Sequence, residues 1–397
     1  MYNTVVVDIS AFLENLYIAF ELSLKAKRKY SVIEKVKDIS GNHAEKLRVI
    51  TASGFSREII PVLKCDAYGT GAVEISKACR GVGIKIVSVV GITDALRLKD
   101  QGLEILILNT ISEDELEDAI KNGFHLTCYT EKQIVDIEKV ASRLSKCVYV
   151  HLKINTGMNR FGAEKEEIQE LNSMIKGSKH LIMESIFSHY HNAYSEDSLY
   201  TRKQYLYFQN ALLKTDRRVN VHLANSACLI RYPQYVQGAS RPGIMLYGSY
   251  PEFDMFLKYK GLLKPVVEVR SVVVHIRKVK KGEYVGYGDR WMVQNDTFLA
   301  LIPFGYGEGF HRNASVNSSV WINGKRYTIF GNVSMDSLSI LFDTENEVQV
   351  GDEVILFGGS HKGVHTVDEA AHEMGIIAYE LLTGINNDVR REYINTL

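Results

Sequence analysis

From residue 59 onward, short apolar runs rich in β-branched residues alternate with charge-rich stretches whose apolar positions recur every three to four residues. The runs are 59–64 (IIPVLK), 85–90 (KIVSVV), 104–109 (EILILN), 125–129 (HLTCY), 147–154 (CVYVHLKI), 181–187 (LIMESIF), 220–224 (NVHLA) and 244–247 (IMLY). Between them lie patterns such as TDALRLKDQG, SEDELEDAIKNG and EKQIVDIEKVASRLSK, each opened by Thr, Ser or an acidic residue, as a helix N-terminus prefers. Strand–helix alternation of this kind predicts parallel strands joined by crossover helices. A count of eight such runs favours an α/β fold of the closed (β/α)8 TIM-type barrel over an open doubly wound sheet, an alternative that periodicity alone leaves standing.

After about residue 262 the rhythm changes to VVEVRSVVVHIRKV, TFLALIPFGY, SVWINGKRYTIFGNV and DEVILFGG, strands punctuated by glycine turns such as Asn323-Gly324. The expected organisation is a barrel over residues 11–261 and a C-terminal mainly-β domain over 262–397, with the N-terminal strand, 1–10, packing with the latter. Residues 22–58 carry many lysines and a partial helical periodicity, and are expected to be helical.

Length and charge fit this division. A chain of 397 residues exceeds a typical single domain, and its 47 basic and 47 acidic residues cancel. That balance argues against an electrostatic nucleic-acid or membrane surface. The five cysteines are widely spaced with no CxxC pair and are expected to be reduced core residues. MYNTVVVDIS has no basic stretch before its apolar run, and no apolar run reaches 18 residues, so neither a signal peptide nor a membrane span is expected. The expected location is the cytoplasm. CRGVG and GYGEGF lack the GxGxxG spacing of a dinucleotide site. HEMG lacks the second histidine of a zinc helix, and His189 and His191 have no carboxylate placed to complete a triad, so no metal is expected.

In a barrel enzyme the reactive groups come from the carboxyl ends of the strands. In PVLKCDAYGTGA the apolar run ends on Lys64, with Tyr68 four residues later. The other candidate strands lead to Arg160 in KINTGMNRFG, His189 in FSHYH, Asn225-Ser226 in HLANSA, and Arg241-Pro242-Gly243 at the start of the last run. A lysine at a buried strand end has its pKa lowered by desolvation and is nucleophilic near neutral pH, which suits an aldehyde cofactor.

VLKCDAYG, HLKINTGMNRFG, HLANSA, RPGIMLYG, GYG followed by IPFGYGEG, GNVSMD and AYE stand in the order seen in the alanine racemase family, which depends on pyridoxal 5′-phosphate. The resemblance runs from about residue 59 to 380, and VVVDISAFLENL resembles the family's N-terminal segment. It implies an amino-acid racemase, an isomerase that interconverts L- and D-alanine by two-base α-proton transfer through an external aldimine of the cofactor. It also implies roles for particular residues. Lys64 bonds the cofactor and is one base; Tyr287, in EYVGYGDR, comes from the partner subunit as the other. His189 and Arg241 resemble the polar relay behind that tyrosine, and Arg241 faces the pyridine nitrogen. Ser226, Gly243, Ile244, Tyr68 and Tyr379 contact the phosphate. Arg160 pairs with the cofactor O3′ and the substrate carboxylate, Met335 offers its backbone N–H to that carboxylate, and Tyr306 narrows the entrance. Lys153 occupies the position of a lysine that is carbamylated in many members. Sharing of Tyr287 and Met335 implies a homodimer.

Departures from the family pattern lie around these residues. AYGHG is AYGTG, with Thr70; CMD is Ser334-Met335-Asp336; DTGMGR is Asn155-Thr156-Gly157-Met158-Asn159-Arg160; RVPR is Asp388-Val389-Arg390-Arg391. They leave open a racemase of serine or another larger amino acid. A barrel decarboxylase using the same cofactor is a further alternative, although its cysteine-aspartate motif is absent. A carrier of the cofactor without turnover is a third, although such proteins resemble the barrel alone.

Overall fold

The computed structural model describes residues 2–26, 58–215, 219–315 and 318–396. The helical expectation over residues 22–58 therefore lies largely outside the described residues; its start, 22–26, completes the helix Ile9–Ala26. The chain divides into two compact units, one of residues 16–67 and 72–246, the other of residues 1–15, 68–71 and 247–397.

Strand β1 (Thr4–Asp8) belongs to the second unit. The first unit is built on a parallel sheet, which among the described residues runs in sequence order: β2 (Ile86–Val89), β3 (Glu104–Ile107), β4 (His125–Cys128), β5 (Val148–Lys153), β6 (Leu181–Phe187), β7 (Asn220–Asn225) and β8 (Ala239–Arg241). Strands covered on both faces bury every residue, as β2 and β4 do. The helices between them are capped from the sequence: Ser112 with Glu115 and Thr130 with Gln133 form reciprocal capping boxes.

The run 59–63 completes the ring. Ile60 N–H donates to Ser240 O at 2.8 Å and Val62 N–H to Pro242 O at 3.0 Å, beside β8. On its other side, Leu63 N–H donates to Ser88 O and Ser88 N–H to Pro61 O, both at 2.8 Å, beside β2. Pro61 has no N–H, so the ladder is interrupted and the run forms isolated bridges rather than a continuous strand. The architecture is a nearly closed parallel barrel.

One expected strand is something else. Ile244–Tyr247 is a 3-10 helix, and the last barrel strand is Ala239–Arg241. A four-residue apolar run has no periodicity that separates strand from buried helix, and all four residues are buried here. Pro242, two residues before it, removes a ladder donor. Arg241 consequently closes a strand instead of opening one, which puts it at the carboxyl end, where barrel chemistry sits.

In the second unit a six-stranded sheet has the order β13-β12-β15-β9-β1-β16 and a three-stranded sheet the order β10-β11-β14. Their strands are β9 (Val267–Val272), β10 (His275–Val279), β11 (Thr297–Ile302), β12 (Ser319–Ile322), β13 (Lys325–Thr328), β14 (Leu338–Phe342), β15 (Glu353–Gly358) and β16 (Arg390–Ile394). β1 lies antiparallel to β9 and parallel to β16. Asn323 (φ 51°) and Gly324 (φ 75°) make the two-residue turn of the β12–β13 hairpin, both in the left-handed region that such turns require. Among the described residues, no helix is long and apolar enough to cross a membrane.

Candidate active site

Directly after Lys64 the backbone turns left-handed. Cys65, Asp66, Ala67 and Tyr68 have φ of 52°, 53°, 54° and 55°, a conformation that costs L-residues roughly 1–2 kcal/mol each. Side chains hold the turn. Ala72 N–H donates to Asp66 Oδ1 at 2.9 Å, Arg97 pairs with the same oxygen at 2.8 Å, and Cys65 N–H reaches Asp94 Oδ2 at 3.3 Å. Such strain fixes the direction in which Lys64 leaves the strand end. Burial lowers the pKa of the Lys64 amine, and the Arg160 guanidinium lowers it further.

Arg241 is anchored at both terminal nitrogens. Its Nη1 donates to His222 Nδ1 and, at 2.9 Å, to His222 O; its Nη2 donates to Ser188 O at 2.6 Å and to His189 Nδ1 at 3.1 Å. These partners take the four terminal N–H groups and leave Nε–H as the donor for a ligand. Burial alone pulls the guanidinium down to about 9. His189 is held neutral by burial and by the charges of Arg241, Arg160, Lys153 and Lys64. Its Nδ1 lies 3.1 Å from Arg241 Nη2 and its Nε2 lies 3.5 Å from Asn225 Nδ2.

Lys153 ends β5 buried, with its ammonium 5.0 Å from the Phe161 ring and 5.5 Å from that of Phe187. Burial lowers it to about 8, and the guanidiniums of Arg241 and Arg160 act in the same direction. Arg160 itself is exposed, over the face of Phe161 at 5.9 Å. Its loop is knitted by Asn155, whose Oδ1 accepts from Gly157 N–H and Asn159 N–H at 3.0 and 3.1 Å. Asn159, a departure from the glycine of the family motif, has φ 55°, a left-handed conformation that asparagine tolerates.

Ser226 opens the short helix Ser226–Arg231, with Asn225 accepting from Cys228 N–H as its cap. The Ser226 hydroxyl accepts from Gly243 N–H at 2.9 Å, which joins the ends of β7 and β8 and sets the backbone of Gly243 and Ile244 beside the hydroxyl.

In the second unit, Tyr68 is buried between two tyrosines, its ring 4.6 Å from Tyr247 and 6.0 Å from Tyr379. Burial raises the Tyr379 phenol, keeping it a hydroxyl donor. Gly69 is required here: at φ +78° a Cβ would also lie 2.4 Å from Leu382 O. Tyr306 and Met335 are brought together by backbone bonds, Tyr306 N–H to Ser334 O at 3.0 Å and Gly307 N–H to Met335 O at 2.7 Å. Gly305 permits this approach, since a Cβ there would lie 2.4 Å from Met335 O. Tyr287 sits on a loop whose carbonyl accepts from Asn332 Nδ2 at 2.7 Å, and Asn332 Oδ1 accepts in turn from Trp291 at 3.1 Å.

His222 and Ser188, which hold Arg241, and Tyr247, which packs against Tyr68, are not among the residues that the sequence marks. A histidine at a core-facing strand position was the available signal for His222. Ser188 acts through its carbonyl, which side-chain identity cannot reveal.

Residues 41–251 match the family "Alanine racemase, N-terminal domain" and residues 266–393 match "Alanine racemase, C-terminal domain". The alanine racemase of Carboxydothermus hydrogenoformans is 34% identical over 344 residues, covering 85% of this chain and 93% of the relative. Alanine racemase 1 of Clostridium acetobutylicum is 33% identical over 361 residues, covering 89% of this chain and 93% of the relative. Among solved structures, the alanine racemase of Clostridium difficile 630 aligns with a TM-score of 0.83 at 28% identity, over 99% of this chain and 96% of the other. The chain belongs to the alanine racemase family.

Proposed function

We propose that this enzyme interconverts L- and D-alanine with pyridoxal 5′-phosphate as cofactor, working as a homodimer in which Tyr287 and Met335 complete the site of a second copy. The observation that carries this is the donor set of the barrel. It offers a lysine amine made nucleophilic by burial and a donor-only arginine held by four acceptors. It also offers a hydroxyl–amide cluster at Ser226 and Gly243.

That set fits pyridoxal phosphate. Lys64 would bond its aldehyde; Ser226 with the Gly243 and Ile244 backbone, and Tyr68 and Tyr379, would take its phosphate; Arg241 would face its ring nitrogen. When bound, the cofactor supplies a conjugated ring that delocalises the charge left at the α-carbon. Arg241 only donates hydrogen bonds, so it would favour an unprotonated ring nitrogen and moderate that delocalisation. Arg160, planar and cationic, binds the substrate carboxylate, and Met335 N–H of the second copy adds a donor. The neutral Lys64 amine accepts the α-proton on one face. The Tyr287 phenol of the second copy would deliver a proton on the other, with the neutral imidazole of His189 behind it.

Lys153 fits carbamylation. Its neutral amine adds to carbon dioxide and loses a proton, which turns a buried cation flanked by two guanidiniums into an anion that holds them. Cys79, Cys128 and Cys228 are buried as expected, whereas Cys65 and Cys147 are exposed rather than in the core, and free thiols of this kind suit a reducing cytoplasm.

The test is to incubate the protein, loaded with pyridoxal phosphate, with individual L-amino acids in deuterated water. α-Deuteration of L-alanine with accumulation of D-alanine supports the proposal. Faster inversion of serine would move the substrate assignment. Cofactor binding with no exchange on any amino acid would remove the racemase.

A further inference from the structure

A polar column climbs through the barrel core, one residue from each of five successive strands: His125 on β4, His151 on β5, Ser185 on β6, His222 on β7 and Arg241 on β8. All five are buried. His125 Nδ1 lies 3.1 Å from His151 Nε2, and His151 Nδ1 lies 3.1 Å from His222 Nε2. The Ser185 hydroxyl sits beside both of the latter rings, 2.5 Å from His151 Nδ1 and 2.8 Å from His222 Nε2. At the lower end, Glu104, the first residue of β3 and partly exposed, brings Oε2 to 3.9 Å from His125 Nε2.

Barrel interiors are usually filled by apolar layers. Three imidazoles in series therefore need a chemical reason, and Arg241 provides one. A guanidinium only donates, so His222 Nδ1, which touches Arg241 Nη1, must accept. Burial and the charge of Arg241 keep His222 neutral, so its proton is on Nε2. That N–H faces His151 Nδ1, where a second N–H at 3.1 Å would be repulsive. His151 Nδ1 must then accept, either directly or through the Ser185 hydroxyl, which takes one hydrogen bond and gives the next. His151 carries its proton on Nε2 and donates to His125 Nδ1, and His125 presents Nε2–H toward Glu104.

We propose that His222, His151 and His125, bridged by Ser185, form a one-directional hydrogen-bond relay that runs from Arg241 to Glu104, with Arg241 dictating the tautomer of each ring. The groups bonded to Arg241 among the described residues include no carboxylate. The relay polarises a buried cation toward a carboxylate at the far end of the barrel, and this makes the three histidines positioning residues for Arg241. The relay stands on the barrel alone; its bearing on catalysis rests on the function proposed above.

The test uses the full-length protein labelled with 15N-histidine, reading one- and two-bond proton–nitrogen correlations and assigning rings by single substitutions. The expected result is that His222, His151 and His125 are each neutral with the proton on Nε2. Arg241→Met should release the tautomer of His222 and carry the change to His151, whereas Arg241→Lys, which keeps an N–H donor, should preserve both. A proton on Nδ1 of His222 or His151 in the unsubstituted protein overturns the relay, whether or not the variants fold. So does an unchanged His151 in folded Arg241→Met. None of these readings needs racemisation, so the relay and the proposed function fail separately.

Discussion

Arg241 and Ser226 of the barrel and Tyr287, Met335 and Tyr306 of the second unit are held in opposite ways. In the barrel, Arg241 has four hydrogen bonds to strand-end acceptors, Ser226 joins two strand ends, and the lysines and histidine are shifted by burial. In the second unit, Tyr287, Met335 and Tyr306 are 75%, 63% and 45% exposed, and the bonds that place them go to backbone atoms. The first arrangement preorganises chemistry within one chain. The second presents large apolar side chains on loops, the usual mark of a surface that another protein covers. Under the proposed function the candidate residues would come in two kinds, one complete on folding and one complete on assembly.

Substitutions can break this contrast in order of effect. Lys64→Ala removes the group proposed both to bond the cofactor and to move a proton, and racemisation should fall by roughly 10⁴-fold or more, measured as D-alanine formed from L-alanine. Tyr287→Phe removes only a proton donor. It should cost about 10²- to 10⁴-fold in inversion while cofactor absorbance is retained. Equal loss of cofactor in the two variants would erase the distinction between the units.

Lys153→Met sharpens the barrel side of the comparison. The folded amine titrates at about 8 against an ordinary 10.5, so the unfolded chain binds this proton more tightly. Burying the ammonium thus opposes folding below about 8, and the penalty fades as pH rises toward 10.5. With a free amine, Lys153→Met should stabilise the protein at neutral pH by about 1–3 kcal/mol in denaturant unfolding, with a smaller gain at high pH. A carbamylated lysine reverses the sign, because the variant then loses an anion between two arginines. Ser226→Ala has the smallest expected effect, about 1 kcal/mol, from the lost acceptor of Gly243 N–H. It should also weaken phosphate retention, read as cofactor lost on dialysis.

Legibility in the sequence follows the same division. The barrel was readable because most strands are short runs dominated by apolar residues between amphipathic stretches, and several lead to a chemically marked residue, as IIPVLK does at Lys64. The IMLY run failed because four buried apolar residues look alike as strand or 3-10 turn, and the true strand, Ala239–Arg241, is only three residues long. β14 and the short helices Val367–Glu373 and Ala378–Thr383 also escaped notice. The left-handed turn after Lys64 carries no glycine until Gly69, so nothing in KCDAY announces it. The relay below Arg241 was hidden for a different reason: its members are spread from Glu104 to Arg241, one per strand, and only barrel closure sets them in line.

The central claim, that one copy's barrel works with another copy's Tyr287, is tested most directly by mixing two inactive variants. Lys64→Ala and Tyr287→Phe proteins are unfolded together, refolded with pyridoxal phosphate, and assayed for alanine racemisation. In a mixed dimer one site is doubly defective and the other has both native residues. Activity should therefore rise from near zero to about a quarter of the unsubstituted enzyme for random two-fold pairing. If the mixture stays as inactive as its components while unsubstituted protein recovers under the same refolding, Lys64 and Tyr287 serve the same chain and the account is wrong.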